Sequence, residues 1–104
     1  MDILMVYVTF PSAEEAQTMV NGLMADRYVA CGNIFPVQSC YEWNGANIKE
    51  GEYVALMKSD VARKKDIERF IAKSHSYEIP CLLFWIVEAS EAYGKWVVAA
   101  CRNR

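Results

Sequence analysis

His75 is the only histidine among 104 residues. It stands in the run Lys73-Ser74-His75-Ser76-Tyr77-Glu78-Ile79-Pro80-Cys81, at a predicted helix-to-strand junction. An imidazole titrates at about pH 6.5 and, when neutral, is the commonest side-chain metal ligand. Tyr77 and Glu78 add a phenol and a carboxylate to the same short segment. Two readings stay open: a metal- or proton-handling site, or a histidine that caps the last turn of a helix, where positive charge suits the exposed carbonyls.

Cysteine is the second reactive type. Cys31, Cys40, Cys81 and Cys101 follow one another at separations of 9, 41 and 20 residues, with no C-x-x-C pair to mark a zinc knuckle or a dithiol redox centre. A thiolate from Cys31 together with His75 would favour Cu(I), Cu(II) or Zn(II) over Mg(II) or Ca(II). That chemistry requires the fold to bring Cys31 close to His75 or to its own copies in neighbouring subunits. The plainer reading of a free cysteine is a small buried hydrophobe, and Cys40 and Cys101 are read that way. Cys40 should point to the opposite strand face from Cys31 unless Pro36 inserts a bulge between them.

Charge and composition narrow the function classes. A net charge of −2 and a pI of about 5.3 argue against a nucleic-acid module, whose affinity comes from Lys and Arg on phosphates. The basic residues between Lys58 and Lys73 read as the solvated side of a helix. Tyr41, Trp43, Tyr77, Trp85 and Trp96 read as core and interface packing. No export signal stands at the N-terminus and the first apolar run is too short for a bilayer, so a cytoplasmic protein with reduced thiols is expected, without membrane contact. With 54% hydrophobic residues, apolar material exceeds what one small core needs, and an oligomer is expected.

The elements that must position these residues follow from periodicity. Ile3 to Phe10 is an apolar run suited to a buried strand. Ser12, with Glu15 three positions on, forms a capping box for a helix whose stripe is Ala16, Met19, Val20, Leu23 and Met24. Tyr28 to Trp43 reads as a strand with a break at Pro36, which suggests a bulge, a bend or an edge position. Asn44-Gly45 reads as a tight hairpin turn, and Ile48 to Lys58 as the return strand, loosened near Gly51. Asp60 caps a second helix with Ile67, Phe70 and Ile71 inward. Ile79-Pro80 precedes a strand from Cys81 to Val87. Ser90 starts a third helix burying Tyr93, Trp96, Val97 and Ala100, weakened by Gly94. The order β-α-β-β-α-β plus a helix predicts one α+β, ferredoxin-like split βαβ domain over residues 1–104, with an antiparallel sheet.

Several stretches together resemble the CutA divalent-ion tolerance family. They are the first strand into Thr9-Phe10-Pro11, the segment Arg27 to Ile34, the hairpin Tyr41-Glu42-Trp43-Asn44-Gly45, Glu52 to Lys58, and Ser74 to Pro80. The resemblance runs from about residue 3 to residue 100 with order and spacing kept. It implies a non-enzymatic homotrimer, cytoplasmic in bacteria, linked to tolerance of copper and other divalent cations, with no cofactor required for folding. Its metal ligands would be His75 and Cys31, and Tyr77, Glu78, Lys58 and Trp43 would line an intersubunit ligand cleft. The alternative it implies is a trimeric signalling protein like the PII regulators, taking a small ligand or a partner protein in those clefts, although no Gly-rich anion loop is evident. An enzymatic role has no conventional catalytic constellation behind it. Ser76 replaces the family's proline, which should loosen the loop that holds His75. Cys81 replaces an acidic residue and offers a soft thiolate instead.

Overall fold

The computed structural model describes residues 1–102. β1 (Asp2–Phe10) is followed by α1 (Ala13–Ala25), β2 (Cys31–Trp43) and β3 (Ala46–Ser59). A 3₁₀ turn, Val61–Arg63, leads into α2 (Lys64–Ser74), then β4 (Leu82–Glu88) and α3 (Glu91–Ala100). The sheet order is β2-β3-β1-β4 with every pair antiparallel, the ferredoxin-like arrangement that the element order predicts.

Strand alternation sorts the sheet into two faces. Leu4, Val6, Val8 and Phe10 of β1 pack with Met19, Val20 and Leu23 of α1 and with Ile67 and Ile71 of α2 in one buried cluster. Burying such a side chain stabilises the fold by roughly 1.5–3 kcal/mol. Met5, Tyr7 and Thr9 therefore face the other side, where α3 covers only one end. Tyr93 of α3 reaches Cys31, whose cross-strand partner Lys58 is itself opposite Met5.

Several expectations need correction. β2 begins at Cys31 rather than Tyr28, because Arg27 adopts a φ of 60° and turns the chain before the strand can start. Pro36 makes no bulge: pairing runs without a slip from Cys31 opposite Lys58 to Trp43 opposite Ala46. Of the alternatives for Pro36 the edge position holds, since β2 is an edge strand where a residue without an N–H is tolerated, and Cys31 and Cys40 fall on opposite faces as expected without a bulge. Gly51 likewise leaves β3 unbroken. The buried residues of α3 are Gly94 and Val97, while Tyr93 and Trp96 are exposed. Gly94 permits that close approach, since a Cβ there would lie 2.8–3.0 Å from atoms of the Met1 side chain.

Local signals hold elsewhere. Asn44 and Gly45 have φ of 52° and 81°, and Trp43 pairs directly with Ala46, so the hairpin closes on a two-residue turn. Ser12 Oγ accepts the Glu15 N–H at 3.1 Å. The Glu15 carboxylate, however, does not complete the capping box; it reaches the loop after α2.

Candidate functional site

The loop between α2 and β4 is fixed to three other elements by its own polar atoms. His75 N–H donates to Ile71 O at 2.9 Å, so the backbone of His75 caps α2. Its ring turns inward, 1% exposed, and stacks on Phe10 with centroids 4.7 Å apart and planes 15° apart. Nε2 donates to Thr9 O at 2.8 Å, and Nδ1 accepts the Tyr77 N–H at 3.0 Å. Both ring nitrogens are thereby engaged in hydrogen bonds. Both nitrogens bond backbone groups of the chain itself, and through Nδ1 the ring positions Tyr77.

Ser76 keeps this loop in place where the sequence predicts loosening. Its Oγ donates to both Glu15 carboxylate oxygens at 2.9 Å, and its N–H donates to Glu15 Oε2 at 3.2 Å. A proline could make neither bond, having no N–H and no hydroxyl. Side-chain and backbone donors thus replace the ring's fixed φ.

Tyr77 then crosses to the sheet. Its hydroxyl donates to Glu52 Oε2 at 2.5 Å, and Glu52 is 6% exposed. Burial, followed by the hydrogen bond to Glu52, pushes the Tyr77 phenol above the ordinary tyrosine range. On the same face Tyr41 donates to Glu50 Oε1 at 2.5 Å, a bond that raises its phenol to about 12.

Between this loop and the β2–β3 hairpin lies a cleft of about 630 Å³. Tyr7 and Thr9 of β1, with Glu52 of β3, line it from the sheet, and Tyr41 and Trp43 line it from the hairpin. Tyr77, Glu78, Ile79 and Cys81 close the opposite side. Three of the four expected cleft residues, Tyr77, Glu78 and Trp43, are therefore brought together. Lys58 is not: its Nζ bonds Asn33 Oδ1, and its register places it beside Cys31 at the far end of the sheet.

His75 and Cys31 do not meet within a protomer. His75 is bonded to Thr9, whereas Cys31 is aligned through Lys58 with Met5. Four strand positions separate Thr9 from Met5, or about 13 Å along the chain. Cys31 Sγ lies 3.3 Å from the Tyr93 hydroxyl instead. Cys81 does line the cleft, but burial and then the Glu52 charge push its thiol up, which disfavours the soft thiolate its position invites. Among the described residues no group of three or more His, Cys, Asp or Glu side chains converges as a metal site.

Glu52 and Glu15 are among the site residues that sequence reasoning misses. Glu52 carries one signal, a carboxylate at the head of the apolar run Tyr53 to Met57. Glu15 carries only its capping signal, which explains its backbone N–H and not its side chain.

Fold and cleft together define a ferredoxin-like α+β protein with a ligand-sized recess at one end of its sheet. The family model for the CutA1 divalent ion tolerance protein matches residues 4–100. The chain is 33% identical over 86 residues to a divalent-cation tolerance protein CutA of Thermotoga maritima, covering 83% of this chain and 85% of that protein. It superposes on CutA1 from Pyrococcus horikoshii with a TM-score of 0.92 at 28% identity, covering 96% of this chain and 99% of the other. CutA from Synechococcus elongatus gives a TM-score of 0.92 at 28% identity, with 97% and 91% covered. The chain belongs to the CutA1 divalent ion tolerance family.

Proposed function

We propose that the protein serves tolerance of divalent cations, copper among them, as a cytoplasmic homotrimer without catalysis of its own. The observation that carries this reading is the pair of open sheet edges, β2 and β4, flanked by exposed large apolar residues. Leu83, Trp85 and Ile86 of β4 are each more than 40% exposed, as are Tyr41 and Trp43 on the hairpin. Two unlike edges favour a head-to-tail contact, and a head-to-tail contact that closes makes a ring. The hairpin of one protomer would extend and cover the β4 edge of the next.

An ion site assembled between protomers accords with the lack of three converging donors among the described residues of one. Cys31 is half-buried and Cys40 exposed, so both can meet donors of a neighbour. All four cysteines are free, in keeping with a reducing compartment. Cys31 faces a tyrosine hydroxyl rather than a general base, which supports a non-catalytic role.

Light scattering and isothermal titration of the reduced protein with Cu(I), Cu(II) and Zn(II) test both halves. A mass near that of one 11.9 kDa chain overturns the assembly. A trimer that takes none of these ions overturns the ion role. It would favour the second reading, a trimeric signalling protein like the PII regulators, for which the size of the cleft at Tyr77 is the specific support.

A further inference from the structure

α3 brings three oxidisable side chains into contact at the start of β2, none of them on the hairpin or on β4. Trp96 and Tyr93 stand three positions apart on one helix face, and their rings stack with centroids 5.8 Å apart and planes 25° apart. The Tyr93 hydroxyl lies 3.3 Å from Cys31 Sγ, a hydrogen bond across 62 positions of the chain. The order in space is indole, phenol, thiol. Exposure falls in the same direction, from 52% at Trp96 to 39% at Tyr93 and a half-buried Cys31.

The helix is pinned so that this series holds. Gly94, next to Tyr93, is seated against the Met1 side chain. At the other end Arg63 Nε and Nη2 donate to Cys101 O at 3.0 and 2.8 Å, and Arg27 Nη1 donates to Ala100 O at 3.4 Å. Core packing does not account for the series, because the buried residues of α3 are Gly94 and Val97, and a thiol makes only a weak hydrogen bond. What the three groups share is one-electron chemistry. Indole and phenol are the side-chain rings most readily oxidised to radicals, and a thiol S–H bond is weak enough to give its hydrogen atom to a phenoxyl radical.

We propose that Trp96, Tyr93 and Cys31 form a radical relay, which carries one-electron oxidation from the outer face of α3 to a thiol that small thiols in solution can repair. A one-electron oxidant such as the carbonate radical takes an electron from the Trp96 indole, and the indole N–H proton passes to water. An electron from Tyr93 then crosses the stack; the indole nitrogen regains a proton from solvent, the phenol loses its own, and a phenoxyl radical remains. At Cys31 the S–H bond breaks as the phenol O–H bond forms, leaving the unpaired electron on sulfur. A low-molecular-weight thiol returns a hydrogen atom to Cys31 Sγ and departs as its own thiyl radical. Each step moves one electron together with one proton, so no charge accumulates in the protein. No bound ion takes part, and the relay therefore stands apart from the ion reading.

Pulse radiolysis of the reduced, metal-free protein in azide solution tests it, with the azide radical as oxidant and the indolyl and phenoxyl absorbances as readouts. In the parent, part of the phenoxyl signal should decay in a fast phase that does not depend on protein concentration. Cys31→Ala should abolish that phase. Cys31→Ser should abolish it as well, because a serine hydroxyl can keep the contact but its O–H bond is too strong to be given up. Tyr93→Phe keeps a ring against Trp96 and should leave a share of the indolyl signal long-lived. Cys101→Ala, which removes a buried thiol that contacts Ser59 Oγ at 3.6 Å, should leave the fast phase in place. A fast phase that survives both Cys31 variants, or an indolyl decay unchanged by Tyr93→Phe, overturns the proposal. Should Cys31→Ala disturb the fold, the serine variant decides.

Discussion

The Tyr77 hydroxyl donates to the buried carboxylate of Glu52 at 2.5 Å, tying a loop after the second helix to a strand 25 residues earlier in the chain. Tyr77→Phe removes the donor and leaves a buried charge without its partner. The expected loss is about 1–3 kcal/mol, read from the denaturant midpoint. Tyr77→Phe in a Glu52→Gln background should cost less than in the parent, because the partner that suffers is already neutral. Equal costs in both backgrounds would mean that the bond contributes nothing and that Tyr77 acts through packing alone.

The hairpin turn offers a cleaner backbone test. Gly45 sits at φ 81° with nothing within 4 Å of where a Cβ would stand, so a side chain there meets no clash and feels only the backbone penalty. Gly45→Val should destabilise the protein by roughly 1–2 kcal/mol, and Gly45→Asn by much less. Thermal melts of the two variants distinguish the cases. Indistinguishable melts would mean that the turn relaxes to another type and that the strand register depends on side-chain pairing alone.

The fold is legible in the sequence because its signals are local. Ser12 and Ser90 cap their helices, Asp60 starts the turn into α2, and Asn44-Gly45 closes the hairpin, each within a few residues of its effect. The cleft is only partly legible, since it forms where distant segments converge. Tyr77, Glu78 and Trp43 carry family resemblance and are found there, but nothing near Lys58 in the chain reveals that register carries it to the other end of the sheet. The reach of Glu15 to Ser76 is hidden for the same reason, the two standing 61 positions apart in the chain. His75 is recognised as a junction residue, while its burial against Phe10 depends on the packing of α2 on β1.

The Cys31–Tyr93 contact predicts a pH signature. The hydrogen bond to Cys31, then burial, pushes the Tyr93 phenol up to about 12. A phenol whose pKa is raised on folding adds stability that is fully present below the unfolded value of about 10. That stability is lost as pH climbs through the folded value. Cys31→Ala removes the leading cause, so tyrosinate absorbance should show one tyrosine ionising nearer the ordinary range. An unchanged titration would place the cause in burial rather than in the thiol.

The separation of His75 from Cys31 leads to a test of whether they act as one unit. His75→Ala removes a buried stacked ring and both of its hydrogen bonds, with an expected loss of about 2–4 kcal/mol. Cys31→Ala, at a half-buried position, should cost no more than about 1 kcal/mol. Because the two contact different elements, Thr9 and Tyr77 in one case and Tyr93 in the other, their stability effects should add within about 0.5 kcal/mol in the double variant. Copper titration of the same four proteins carries the argument further. If one ion joined the two side chains within a protomer, either single change would abolish most of its affinity and the second would add little. Engaged as it is, His75 should influence copper only through the loop it holds, so His75→Phe, which keeps the stack on Phe10, should retain binding more nearly than His75→Ala. Equal loss of copper in His75→Phe, His75→Ala and Cys31→Ala would show that the ring leaves Thr9 to become a ligand, and that the order of the Tyr77 loop is set by the ion.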